Sequence, residues 1–379
     1  MKHRKLGNTG FNVSEIGMGT EHLLDKDEQI VIQTIKAAVD GGVTYLDCHP
    51  GHDLNHDSHT YEGYAKLGKA ISIAGGRDRL QLTYLAAASF SPAEIKPRYE
   101  NFLKDMNISC VDVFILACCD KVDNYDEITG DNSLLSYAKK LKDEGKIKTI
   151  GISTHSAAVA FKAIDSGSFD VLMYPVNPAF DVIIDEERYK TDELGTLWDA
   201  AYDFDSKGKT GAQPRKSVYD ECEKRGIGLV AMKPFAGGFI FRVEENAGFT
   251  PVNLISYTLA QSGVSTVVPG CTKPEEIYEI LTYNNCPAED RDYSSAVAKS
   301  RWSVMENCLY CNHCLPCKAN INIAEVNRLL DSSENASEKY NKLAVKASAC
   351  TQCGICVERC PFQVKVIERM EKAVEIFEK

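Results

Sequence analysis

Eight short runs of β-branched or apolar residues alternate with helical patterns over residues 1–283, and this alternation limits the fold more than any other feature of the chain. The runs fall at 13–18, 43–47, 80–85, 111–118, 148–153, 171–175, 228–232 and 266–268. Between them the apolar spacing predicts helices at 29–39, 65–73, 92–104, 133–142, 157–164, 215–225, 251–261 and 274–282. Near-continuous apolar strands joined by helical crossovers are parallel strands covered on their outer face. Eight such units in one region of this size predict an α/β fold, a (β/α)8 TIM barrel. A doubly wound open sheet is the alternative, but no Gly-rich dinucleotide turn follows the first strand, where Met18-Gly19-Thr20-Glu21 stands.

Eight of the fifteen cysteines lie in two tight runs nearer the C-terminus: Cys308, Cys311, Cys314 and Cys317, then Cys350, Cys353, Cys356 and Cys360 followed by Pro361. Three thiolates at this spacing take three corners of an iron–sulfur cubane, and in two-cluster ferredoxins the fourth ligand comes from the other run. Cys308, Cys311 and Cys314 therefore pair with Cys360, and Cys350, Cys353 and Cys356 with Cys317, giving two [4Fe–4S] clusters. Zinc is the alternative, but its sites group four ligands as two separated pairs. Disulfides are the other: the chain opens MKHRKLGNTG, with no apolar stretch to act as a signal peptide, and no segment is apolar enough to span a bilayer. A cytoplasmic location is expected, where structural disulfides are rare. Residues 284–379 are then a second, helical ferredoxin-like domain, with helices at 321–330, 338–347 and 364–377. The net charge of −11 argues against nucleic acid or an anionic membrane as partner.

The barrel region resembles the aldo-keto reductases. The marks are Leu6-Gly7-Asn8-Thr9-Gly10 with Val13-Ser14, Thr44-Tyr45-Leu46-Asp47, Leu67-Gly68-Lys69-Ala70-Ile71, Gly145-Lys146-Ile147 leading into Ile150-Gly151-Ile152-Ser153, Arg225-Gly226-Ile227-Gly228, Lys233-Pro234-Phe235-Ala236-Gly237-Gly238 and Val268-Pro269-Gly270. Each is weak alone; their order along one chain is specific. The cysteine-bearing tail is similar to the two-[4Fe–4S], ferredoxin-like extension on one branch of that family. The resemblance implies a cofactor site at the C-terminal face and a catalytic tetrad of Asp, Tyr, Lys and His. Of these only Asp47 is in place. His52 stands where the Tyr is expected, with Tyr61 and Tyr64 as substitutes within reach of the same space; Leu85 stands at the Lys position and Ala117 at the His position. For NADP(H), Ser153, Lys233, Gly270 and Lys273 are the contacts the resemblance retains. Met173, Met232 and Ile280 replace the others, so NADP(H) is expected to bind weakly or not at all.

Other polar residues converge on the same strand ends. His49, His52, His56 and His59 follow Asp47 and Cys48; Cys118, Cys119 and Asp120 end the fourth strand; His155 follows the fifth, Lys233 the seventh and Cys271 the eighth. Imidazole, thiolate and carboxylate suit iron or zinc, so a third metal at the mouth is one reading. A metal-free site in which His52 or His155 donates a proton is preferred, because buried cysteines commonly pack as small apolar groups. Two connections are longer than their strands require, 53–60 and 178–213; the first is expected to shape the site, and the second is either a lid or a loose insertion.

These readings combine into an iron–sulfur oxidoreductase acting on a small polar carbonyl or hydroxyl, with electrons relayed one at a time through the clusters. A ferredoxin- or flavodoxin-type protein is the natural electron partner. The alternatives are a lyase or dehydratase with structural clusters, and a non-catalytic electron carrier on an inactive barrel.

Overall fold

In a computed structural model, residues 1–50, 62–181, 214–242, 248–293, 296, 306, 308, 314–331, 336–360 and 363–379 are described. An N-terminal antiparallel hairpin, β1 (His3–Lys5) and β2 (Asn12–Ser14), precedes an eight-stranded parallel sheet. Its strands are β3 (Met18–Gly19), β4 (Tyr45–Asp47), β5 (Gln81–Ala87), β6 (Val111–Ala117), β7 (Ile147–Ser153), β8 (Val171–Pro175), β9 (Gly228–Met232) and β10 (Val264–Val268), each hydrogen-bonded to its sequence neighbours. Parallel bridges Ile16 to Val267 and Gly19 to Gly270 bring the first strand against the last and close the barrel. The predicted strand at 13–18 is thus divided: Val13 belongs to the hairpin, and the barrel strand begins at Met18.

The strand period of two sorts the side chains. Tyr45, Leu85, Val113, Ile115, Val171, Met173, Val230 and Val268 form the barrel interior, with Leu6 and Val13 of the hairpin region plugging its floor. The alternate residues, among them Leu46, Tyr84, Phe114, Ile152, Leu172 and Leu229, face the helices in a second core. The hairpin plug is pressed hard on the barrel. Gly7 sits at φ +52°, and a Cβ there would meet the Gly228 nitrogen at 2.3 Å, so only glycine fits.

Local sequence explains the outer helices. Ser91 caps Pro92–Asp105 reciprocally with Glu94, and Ser156 accepts from the Val159 amide at the start of Ala157–Ser166, which Gly167 ends in the left-handed conformation.

Residues 284–379 do not fold around a core of their own alone. Leu315, Ile321, Ile323, Val326 and Leu329 share one buried cluster with Ala236, Ile240, Phe249 and Leu254 from the barrel side. Helices Ile323–Asp331 and Val366–Phe377 are clamped by Arg369, which donates to Asn327 Oδ1 at 2.6 Å and Asp331 Oδ1 at 2.7 Å. The predicted helix at 338–347 is shorter than its pattern: it spans Ala336–Asn341. The chain turns there because Lys346 Nζ takes the Tyr340 and Leu343 carbonyls, and the Ala347 amide donates to the buried Tyr340 hydroxyl at 2.7 Å. No helix among the described residues is long and apolar enough to cross a membrane.

Candidate active site and thiol cavity

A cavity of about 400 Å³ opens at the C-terminal ends of the barrel strands. Leu85, Met173, Met232 and Val268 line it from the strands, and Asp47, His49, Cys118, Ser153, His155, Lys233 and Gly270 supply polar groups. The pleat decides which members of each strand end arrive. Asp47 lies two residues after the inward Tyr45 and enters the cavity, whereas Cys48 packs outward in the helix-facing core, where burial raises its thiol pKa. Cys119 and Cys271 are likewise buried in that outer core, so of the mouth cysteines only Cys118 lines the cavity. His52, His56, His59 and Tyr61 lie outside the described residues. Lys273 stands exposed at the start of helix Pro274–Leu281, outside the lining of this cavity. Tyr64 is also away from the site, edge-on to Phe102 in the outer core.

Asp47 is held in a defined orientation. The Cys48 amide donates to Thr83 Oγ1 at 2.9 Å, and Thr83 Oγ1 in turn donates to Asp47 Oδ1 at 3.0 Å. Burial pushes the Asp47 carboxyl up to about 7, with the Thr83 bond opposing and the Glu21 charge reinforcing the rise. Glu21 shifts the opposite way. Burial disfavours its charge, but His22, His49, Lys233 and Arg328 together hold its carboxyl down to about 2. His22 beside it is lowered, by burial first and then by Arg328 and Lys233, against Glu21 and Asp25. Two carboxyls driven apart in this way give one mouth both an acid and a permanent anion near neutral pH.

His155 is oriented by Asp120. Its Nδ1 lies 3.2 Å from both carboxylate oxygens, and its backbone amide donates to Oδ1 at 2.6 Å. Ser153 Oγ accepts from the Cys118 amide at 3.0 Å, which fixes Cys118 at φ +61°. Thr272, Glu276, Glu279 and Ile280 also line the cavity; Glu276 accepts from both the amide and the hydroxyl of Thr272.

Sequence reasoning missed Glu21, His22, Thr83 and Arg328. The first two directly follow β3, the strand end where a barrel builds its site, and that position was a signal for them. Arg328 had none: it comes from helix Ile323–Asp331 of the C-terminal module.

The second cavity lies within that module. Cys317, Cys350, Cys353 and Cys356 line it together with Cys314, and Ile321, Ile323, Ile355, Ile367 and Met370 give it apolar walls. The Gln352 amide donates to Cys350 Sγ at 3.4 Å. Cys308 and Cys360 are half-buried and pack against the module core, and Cys311 lies outside the described residues. Among the described residues, no three or more His, Cys, Asp or Glu side chains gather as for a single metal ion. A cubane spreads its thiolates over four irons instead.

Residues 15–180 match the sequence model of the aldo/keto reductase family. Aldo-keto reductase YhdN of Bacillus subtilis (strain 168) is 28% identical over 170 residues, 41% of this chain and 48% of that protein. The chain thus spans about half the length of this curated relative. The aldo-keto reductase AKR11C1 from Bacillus halodurans, in its holo form, superposes with a TM-score of 0.55 at 18% identity, covering 80% of this chain and 98% of that one. MGS-M4, an aldo-keto reductase from a Medee basin deep-sea metagenome library, gives 0.54 at 17%, covering 79% and 95%. The aldo/keto reductase likeness therefore holds in sequence for the first half of the chain and in fold for the whole barrel.

Proposed function

We propose that this chain is an iron–sulfur oxidoreductase of aldo-keto reductase type, in which a small polar carbonyl at the barrel mouth takes two electrons and two protons, the oxygen's proton from Asp47 and the carbon's from solvent at the open mouth. One observation carries the reading. Helix Ile323–Asp331 lines the thiol cavity with Ile323 and the barrel cavity with Arg328. Five residues of helix rise only about 7.5 Å, so one short rigid element joins the two sites.

The donor set suits a cubane: of the five thiols that line one apolar cavity, Cys317, Cys350, Cys353 and Cys356 are the cross-run set and Cys314 belongs to the other, with an amide already directed at Cys350 Sγ. The other set, Cys308, Cys311, Cys314 and Cys360, would hold the second. When bound, the clusters would supply single electrons. The cavity fits NADP(H) poorly. Met173 and Met232 stand where ring contacts are expected, and the carboxylates Glu21, Glu276 and Glu279 share the lining with the cations Lys233 and Arg328 that a phosphate-bearing cofactor needs.

The chain's own residues then do the rest. Asp47 keeps a proton near neutral pH because it is buried, and because Thr83 donates to Oδ1 that proton sits on Oδ2. A general acid poised near the working pH needs no partner lysine, which accounts for Leu85 at that position. His155, fixed by Asp120, orients the carbonyl. Leu85, Met173 and Met232 give the cavity an apolar wall on the strand side.

The test is a comparison of reductants under anaerobic conditions. Chemically reduced protein should convert small aldehydes and ketones without NADPH, and NADPH should bind well above the micromolar range by fluorescence titration. A micromolar dissociation constant with NADPH-supported turnover would overturn the reading.

A further inference from the structure

The turn that follows β9 puts two phenylalanines at the barrel mouth. Phe235 and Phe241 both line the cavity that holds Asp47 and His155. We propose that they form a ring subsite, so that the substrate's carbonyl is carried on an aromatic ring. This rests on the carbonyl chemistry proposed above and adds the class of substrate.

Local structure sets the pair. The Lys233 carbonyl accepts from Asn177 Nδ2 at 2.9 Å and from the Ala236 amide at 3.0 Å, and the Gly238 amide donates to the Phe235 carbonyl at 2.9 Å. Gly237 and Gly238, at φ +68° and +80°, let the chain turn sharply here. The short helix Phe239–Arg242 then buries Ile240 completely in the core shared with the C-terminal module. With Ile240 fixed inward, the next side chain lies about 100° round the helix, and Phe241 reaches the mouth. Its ring centroid stands 5.4 Å from that of Phe235, with the planes tilted by 53°.

Three observations point to a ring as the occupant. Phe241 is 44% exposed; the other large apolar side chains exposed among the described residues, Ile73, Tyr278, Val357 and Ile376, do not line this cavity. Scattered exposed apolar groups are ordinary, but an exposed ring inside a concave site is surface that a ligand can cover. The tilted geometry is that of an aromatic pair, which a third ring can extend edge to face. Met173 and Met232 line the same cavity, and thioethers make favourable contacts with ring edges. Asp47 ends β4 and His155 follows β7, whereas both phenylalanines follow β9, so the carbonyl and the ring meet separate parts of the lining. Reduction adds two electrons and two protons across the C=O bond, as above, and leaves the ring untouched.

The experiment is calorimetric titration of the full chain with acetophenone, cyclohexyl methyl ketone and butanone, which share a methyl ketone and differ in the group beside it. Acetophenone is expected to bind at least about tenfold more tightly than butanone, from the apolar area of its ring. It should also bind severalfold more tightly than cyclohexyl methyl ketone, whose ring is similar in size and has no π face. Phe241→Leu should bring the two cyclic ketones to equal affinity and leave butanone unchanged, whereas a general defect would weaken butanone as well. Phe241→Tyr should keep the preference. Equal affinities of the two cyclic ketones for the wild type, or an unchanged preference in Phe241→Leu, would overturn the proposal; the first comparison needs no variant, so a folding defect cannot rescue it. Reduction of all three ketones with equal affinity would sink the ring subsite and leave the redox reading standing. Selective binding of acetophenone that the reduced protein does not convert would do the reverse.

Discussion

The barrel mouth and the thiol cavity are built by opposite means. The mouth gathers Glu21, Asp47, His155, Lys233 and Arg328 from across the chain, and only the closed sheet and the docked module bring them together. The thiol cavity draws its thiols from two short runs, Cys356 on the short helix Ile355–Glu358 and Cys314, Cys317, Cys350 and Cys353 on the connecting loops. The first site depends on topology. The second depends on spacing, and on the proposed reading each thiolate would take one corner of a cluster.

The largest effects should therefore come from the cysteines. The purified protein should carry about eight irons and eight sulfides per chain, the content of two cubanes. Cys317→Ser should remove the cluster shared with Cys350, so the double variant Cys317→Ser/Cys350→Ser should lose no more iron than either single change. Cys317→Ser/Cys308→Ser should lose nearly all of it. The opposite pattern in iron analysis would show that each run serves its own cluster.

Asp47→Asn comes next. Removing a general acid should lower turnover by about a hundredfold or more. In the wild type the rate should fall above about pH 7, as Asp47 ionises. Stability should respond with the opposite benefit. With its folded pKa raised, Asp47 stays protonated between about pH 4 and 7 while the unfolded chain ionises, so stability falls as pH rises through that window. The full penalty, on the order of 4 kcal/mol, is reached above pH 7. Asp47→Asn should remove that slope in denaturant titrations at pH 5 and pH 8; an unchanged slope would show that Asp47 is not held protonated.

The smallest effect tests the barrel floor. Among the described residues the buried Tyr45 hydroxyl, one inward position below Asp47, has no hydrogen-bond partner. Tyr45→Phe should leave stability unchanged or raise it by about 1 kcal/mol. A loss of more than that in thermal unfolding would show that the floor is polar and hydrated.

What could be seen in the sequence follows the same division. The strand ends of the barrel and the helices Pro92–Asp105 and Ala157–Ser166 were visible because periodicity and caps are local signals. The cysteine runs were visible because a spacing of two or three residues is itself a local signal. That Asp47 enters the cavity and Cys48 leaves it needed the pleat of β4, set by the inward Tyr45. The break between Val13 and Met18 needed the hairpin beneath the barrel. Arg328 could not be read at all, because its place depends on Leu315, Val326 and Leu329 docking against Ala236, Ile240 and Phe249.

The claim that joins the two regions is that electrons held by the module reach the barrel mouth. Its most direct test is a single turnover, followed by the visible and EPR spectra of anaerobic, prereduced protein on addition of a small aldehyde or ketone. The clusters should reoxidise as the alcohol forms, with one product for each two electrons lost, and Asp47→Asn should slow both together. Product formation with the clusters still reduced, or reoxidation at an unchanged rate in Asp47→Asn, would contradict the account.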